Sequence, residues 1–279
     1  MKYLFLTFTI LFTGQLQAQF YYNDIQNMLS LSARARTIFA EKVKTITATG
    51  YDPQGSKSND FNEIQESDPQ RRALKVSTRN GMQVTRVFYL FDDQSRPVSI
   101  TDSSAGFKSV TSCRYDAGGN LINLTITVTD SLNDFSQVDD HQYLLNSAGK
   151  PEKLWRILNG RDTTEYRFTL DEKGNVSGEQ LFRRNTGLDQ VYYYYDDNNR
   201  LTDVVRFDKK TRQLLPDFMF EYDDQNRVIQ QISTLSATSR NYLIWRYMYN
   251  SKGLKTKEAL FNKQKELTGR IEYTYVFYP

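Results

Sequence analysis

From residue 43 onward, apolar and polar positions alternate. Tyr166, Phe168 and Leu170 alternate with Glu165, Arg167 and Thr169. Phe218, Phe220 and Tyr222 alternate with Asp217, Met219 and Glu221, and Leu243, Trp245, Tyr247 and Tyr249 keep the same beat. A period of two predicts strands with one covered face. The strands that follow each turn are more polar, as in "GNLINLTITV" and "NRLTDVVRF".

The turns repeat. "FDDQSRP" at Phe91, "YDAGGNL" at Tyr115, "LNSAGKP" at Leu145, "LDEKGNV" at Leu170, "YDDNNRL" at Tyr195, "YDDQNRV" at Tyr222 and "YNSKGLK" at Tyr249 align. Their acid or amide residues are Asp92, Asp116, Asn146, Asp171, Asp196, Asp223 and Asn250, spaced 24 to 30 residues apart, which marks a repeat array. Such a side chain accepts backbone N–H bonds within its turn. Three residues on stands Ser95, Gly119, Gly149, Gly174, Asn199, Asn226 or Gly253. Gly and Asn tolerate positive φ, as a three-residue hairpin loop requires. The array therefore predicts an all-β, antiparallel meander of hairpins over 43–279, forming an open curled sheet or partial shell. "YDPQGSK" at Tyr51 reads as a degenerate eighth copy, and Asn80-Gly81 as a hairpin.

Three segments do not repeat. Residues 1–18 carry Lys2, an apolar run from Tyr3 to Thr13 and a small residue, Ala18, at the expected cleavage point, the layout of a secretory signal peptide. No cysteine follows the run, so lipoprotein processing is excluded. In 19–42, Asp24 is placed to cap a helix with Ile25, Met28, Leu29 and Ile38 on one side, though the later part fits a strand equally. Residues 53–72, "PQGSKSNDFNEIQESDPQRR", read as a mobile loop or insertion.

The pattern aromatic-x-Tyr-Asp-x-x-Gly/Asn-Arg-Leu, best seen in "YYYYDDNNRLTDV" and "FEYDDQNRVIQQI", resembles the YD repeat of the Rhs-like family over residues 85–279. That resemblance implies β-sheets curling into shells, often around a toxin, with links to carbohydrate binding at cell surfaces. With about seven copies and a final "RIEYTYVFYP", this chain resembles a short exported envelope member without a toxin domain.

Composition narrows the chemistry. The formal charge of +3, or +2 without Lys2, argues against nucleic acid. One cysteine, Cys113, excludes an internal disulfide and reads as buried and inert. One histidine, His141, excludes a site of several His ligands and reads as a strand-end surface residue. No catalytic fingerprint is present, so the expected protein is not an enzyme and uses no cofactor. The acidic pairs Asp92/Asp93, Asp196/Asp197 and Asp223/Asp224 read as turns rather than calcium ligands, because Asn146 and Asn250 serve without acid.

The leading expectation is a periplasmic or secreted binding or scaffold subunit docked on an outer-membrane secretion or uptake complex. A carbohydrate-binding surface protein and an outer-membrane β-barrel are the alternatives. Charge at both strand parities, as in Arg200, Asp203 and Arg206, and a mean hydropathy of −0.63 speak against a membrane-spanning wall. Candidate contacts are the terminal strand's Tyr273, Tyr275 and Phe277 for edge pairing with a partner, Trp155 and Trp245 for a glycan, and Arg200 and Arg227, with Arg96 and Lys150, for anions.

Overall fold

The computed structural model describes residues 20–279, apart from 105, 131–132, 209–211 and 235–240. The expected leader, 1–18, lies outside the described residues. A helix, α1 (Tyr22–Ala40), precedes the strands β1 (Val43–Tyr51), β2 (Lys57–Asp68), β3 (Ala73–Asn80), β4 (Gln83–Phe91), β5 (Pro97–Ser104) and β6 (Phe107–Tyr115). Next come β7 (Leu121–Asp130), β8 (Phe135–Leu145), β9 (Pro151–Leu158), β10 (Asp162–Leu170), β11 (Val176–Arg183) and β12 (Thr186–Tyr195). The last are β13 (Leu201–Asp208), β14 (Gln213–Tyr222), β15 (Val228–Thr234), β16 (Tyr242–Tyr249), β17 (Lys255–Phe261) and β18 (Leu267–Phe277).

Each strand pairs antiparallel with the next in the chain, in one 18-stranded sheet. β18 then pairs back to β1, with Ile46 opposite Tyr275 and Ala48 opposite Tyr273. The wall is therefore a closed barrel, which corrects the expected open curled sheet. An open meander leaves two rows of unpaired N–H and C=O groups, and joining its ends removes both.

The repeat turns all lie at one rim, because each follows an even-numbered strand. In each, the Asp or Asn N–H donates to the carbonyl four residues on, and its Oδ1 accepts the N–H of that residue, as for Asp196 with Arg200. Ser95, Gly119, Gly149, Gly174, Asn199, Asn226 and Gly253 all have positive φ, between 58° and 86°. The Asp52 turn has the same form but lies at the opposite rim, with the Asn80-Gly81 hairpin. Asn262 builds another such turn there, with Lys265 at φ 64°.

Segment 53–72 proves to be mostly strand. Phe61, Gln65 and Ser67 of β2 are buried. Two of those three are polar, so the apolar alternation that would announce a strand is absent.

The register sorts the two faces of the wall. Inward lie Cys113, Leu124, His141 and Arg156 across β6–β9, and Tyr143, Leu154 and Tyr166 across β8–β10. Outward lie Arg114, Asn123, Gln142, Trp155, Glu165 and Phe182 across β6–β11. Outward charges occur elsewhere too, in Glu66 opposite Lys75 toward the strand ends and in Lys257 opposite Glu272, the latter central in β18. The four tyrosines of β12 divide the same way, Tyr193 buried inward and Tyr194 exposed outward.

Helix α1 lies inside the barrel. Its buried residues Met28, Ala35 and Ile38 pack on inward side chains from separate parts of the wall, among them Cys113, Leu124, Phe168 and Val191, then Val43, Ile46, Leu74, Phe91 and Leu254. Phe39 meets Phe91 edge-on and Phe20 meets Phe218. Both helix ends reach residues near the turn rim: Glu41 pairs with Lys252 of the Asn250 turn, and Val176 and Leu121, just past their turns, join the cluster around Met28. The helix thus crosses the barrel at that rim, closing this mouth. Leu29, expected on the buried side, is 57% exposed. The buried stripe is Met28, Ser32, Ala35 and Ile38, the helical spacing that turns Leu29 away.

Candidate functional site

The N-terminal end of α1 is where buried charge collects. Tyr21 is the N-cap, and no side chain of the helix itself caps it. The wall supplies the cap instead. Glu179, buried on β11, accepts the N–H of Tyr21 at 2.9 Å on Oε1 and of Tyr22 at 2.9 Å on Oε2. Tyr193 Oη donates to the same Oε2 at 2.9 Å. A carboxylate at the free N–H groups of a helix also meets the positive end of its dipole.

Asp24 does not cap the helix, as the sequence suggested. It faces the wall, where His141 Nδ1 sits 2.7 Å from Oδ2 and Tyr143 Oη donates to that oxygen at 2.9 Å. Tyr143 Oη also reaches Tyr21 O at 2.7 Å. His141 is 2% exposed rather than a surface residue. Its Nε2 lies 3.3 Å from Asp139 Oδ1, an ion-pair contact without a hydrogen bond. Arg156 grips Asp139 from β9, with Nε 2.9 Å from both carboxylate oxygens. Tyr21 stands edge-on over His141, ring centroids 4.9 Å apart.

The environment sets the charges. Burial pulls the His141 imidazole down, but the Asp139 and Asp24 carboxylates outweigh it and raise it to about 9. Burial pushes Asp139 up, yet His141 and Arg156 bring it to about 2. Burial raises Glu179 to about 7 against the N–H and O–H groups that bind it. Cys113, the free thiol, is pushed up to about 12 by burial, and its Sγ rests 3.6 Å from Met28 Sδ beneath the helix. Among the described residues no group of three or more His, Cys, Asp and Glu is placed to hold a metal.

The candidate contacts fall elsewhere. Tyr273 and Tyr275 point inward, their hydroxyls donating to Glu258 Oε1 and to the Lys255 carbonyl. β18 offers no free edge, since β17 takes one side and β1 the other. Docking by strand addition at Tyr273, Tyr275 and Phe277 is thereby corrected: closure already uses those backbone groups. Phe277, at the strand end, is 41% exposed. Trp155 lies on the outer wall and Trp245 is buried inward, so they share no glycan platform.

Arg200 and Arg227 line the turn rim but are engaged. Arg200 Nε donates to Asp196 at 2.7 Å and Nη1 to the Asp223 carbonyl at 3.0 Å, with the guanidinium over Tyr222. Arg227 repeats this with Asp223, the Asn250 carbonyl and Tyr249. The motif tyrosines add a second stitch: Tyr115, Tyr195, Tyr222 and Tyr249 donate to the carbonyls of Pro97, Val176, Leu201 and Val228. Each repeat is tied to its neighbour, which is a structural use of the motif. A polar cleft of about 490 Å³ between the Asp196 and Asp223 turns is lined by Asn198, Arg200, Tyr222, Asp223, Asp224 and Asn226.

No family model and no curated protein matches the chain. Among solved structures, a porin-like protein from Bacteroides uniformis is similar at 11% identity and a TM-score of 0.43, with 84% of this chain and 98% of that one covered. A porin-like protein from Bacteroides vulgatus aligns at 10% identity and a TM-score of 0.30, covering 84% and 98%. The TcdB2-TccC3 structure aligns at 12% identity and a TM-score of 0.34, over 76% of this chain and 12% of that one. At these TM-scores the likeness carries no argument, and function rests on the chain's own geometry.

Proposed function

We propose that this protein is a stoppered barrel of the bacterial cell envelope that works by binding, through its outer wall and rims, rather than by conducting solutes or by catalysis. The observation that carries this reading is the polarity of the wall. Its inner face carries most of the buried side chains and packs on α1, while its outer face bears charges in mid-strand, Arg86, Asp140, Glu165 and Glu272, beside exposed apolar residues such as Phe88, Leu90 and Met248. A lipid-facing wall needs an outward apolar band unbroken by charge, and a cation at the bilayer midplane costs roughly 2–4 kcal/mol. The exported location rests on the signal-like leader, and an outer-membrane protein complex is the partner class that fits it best. The YD-like motif supports membership of an Rhs-like group by its turn chemistry alone.

A second reading, an outer-membrane β-barrel, is favoured by closure itself. Of the earlier expectations, a closed antiparallel wall fits that one better than it fits an open scaffold. Fractionation of the native host without detergent separates the two. Recovery in the soluble fraction, with specific partners co-purifying, supports the first. Retention in the outer-membrane pellet through high-salt and alkaline washes supports the second and overturns the first.

A further inference from the structure

Both ends of α1 are packed on the wall, but only the N-terminal end adds buried charged anchors and only the C-terminal end is tied to the wall by the chain. At the C-terminal end Ala35 and Ile38 are buried against Val43, Ile46, Leu74, Phe91 and Leu254, and Glu41 pairs with Lys252. That end is also tied covalently to the wall, since Glu41 and Lys42, the latter with φ 52°, lead straight into β1. The N-terminal end packs Tyr21 and Met28 into the cluster of Cys113, Leu124 and Phe168, and there Glu179, His141 and Tyr143 on the wall also grip Asp24 and the Tyr21 and Tyr22 N–H groups. A buried charged anchor of this kind is costly to assemble and gives way once a single partner is lost, whereas an apolar contact yields gradually. Between the ends, the exposed face of the helix carries Leu29, Ser30, Ala33 and Arg36, so nothing of the described chain covers it from outside.

We propose that α1 is a hinged stopper: it pivots at Glu41–Lys42, and its N-terminal end swings off the mouth when the Asp24–His141 and Glu179 contacts release. Opening uncovers inward aromatic residues of the wall, Tyr143, Phe168 and Tyr193 among them. It also uncovers Cys113, which α1 shields through Met28. The helix end can open without unzipping the barrel, because the strand pairs that close the wall do not involve it.

Cys113 makes the motion measurable, as the protein has no other thiol. The full mature chain is labelled with a neutral maleimide at pH 7.5, far below the melting transition. Wild type is compared with Asp24→Asn, Glu179→Gln and, as a control, Leu260→Ala, a buried wall substitution distant from the latch. Asp24→Asn and Glu179→Gln are expected to speed labelling by about tenfold or more, beyond anything their melting temperatures explain. Leu260→Ala is expected to lower the melting temperature without that acceleration. If labelling follows melting temperature alone across the series, or if both latch variants stay as protected as wild type, the hinge is wrong. Should the latch variants not fold, hydrogen exchange of the wild type decides. Amides of residues 24–33 must exchange through a smaller opening than those of β7 and β8, and equal protection overturns the proposal.

Discussion

Asp24 and His141 stand 117 residues apart in the chain and meet at 2.7 Å inside the barrel, one on the helix and one on the wall. Removing the imidazole leaves Asp24 and Asp139 facing each other with Arg156 alone to balance them. His141→Gln is therefore expected to destabilise the fold by about 3–5 kcal/mol, the range for breaking a buried ion pair. Urea unfolding followed by circular dichroism checks this. A loss below about 1 kcal/mol would show that the pair is not held as described.

The same cluster dictates a pH profile. His141 is raised from 6.5 to about 9, so its contribution is full below 6.5 and disappears as pH climbs through 9. Glu179, raised from 4.5 to about 7, is penalised once ionised, so it too removes stability as pH rises from 4.5 through 7. Asp139, lowered to about 2, contributes above 3.8 and loses that contribution as pH falls through 2. Melting temperature should thus decline from mildly acidic pH toward pH 9. The decline between 6.5 and 9 should flatten in His141→Gln.

The turns and the faces were legible in the sequence because each rests on a local requirement. Asn199 and Gly174 stand where φ must be positive, and Tyr166 and Phe168 alternate with Glu165 and Arg167 on a strand with one covered face. Closure was not legible. The pairing of Ala48 with Tyr273 is long-range, and an end strand that finds a partner reads like one that does not. His141 was misread because "DDHQYLL" looks like a polar strand start. The missed signal was parity, since His141 shares its face with Tyr143, which is buried. Glu179 carried no such signal. Its role exists only once a helix end is brought to it.

Two glycines at equivalent turn positions should respond differently to alanine. A Cβ on Gly149, at φ 72°, would come within 2.6 Å of Asn120 Nδ2, whereas one on Gly174, at φ 79°, meets nothing within 4 Å. Gly174→Ala should cost about 1 kcal/mol of backbone strain, and Gly149→Ala more than that. Asn199→Gly, at φ 58°, relieves strain but gives up the bond that Asn199 Oδ1 accepts from Asn175 Nδ2 at 3.1 Å, so it should be near neutral. Denaturant midpoints order the three.

The tyrosine stitches should act independently when well separated. Tyr115→Phe removes the bond to the Pro97 carbonyl and Tyr249→Phe the bond to the Val228 carbonyl. Each should cost about 1 kcal/mol, and the double variant should show their sum. A large coupling energy would mean that the ladder acts as one unit around the rim.

Truncation after Gly269 should open the wall rather than remove a docking strand. It exposes the edges of β1 and β17 together. Loss of the cooperative melt and association of the truncated chain are expected by size-exclusion chromatography. A folded monomer would show that the β1–β18 seam is dispensable.

On the proposed reading the charged outer wall meets water while the inner face packs on α1, and the two tryptophans report on these faces separately. Trp155 lies on the outer wall and Trp245 inside, 8% exposed. In Trp245→Phe, the remaining Trp155 should be quenched by aqueous iodide and unaffected by brominated lipids when vesicles are present. In Trp155→Phe, the remaining Trp245 should resist both quenchers. Strong quenching of Trp155 by brominated lipid, with protection from iodide, would place the outer wall in a bilayer and contradict the account.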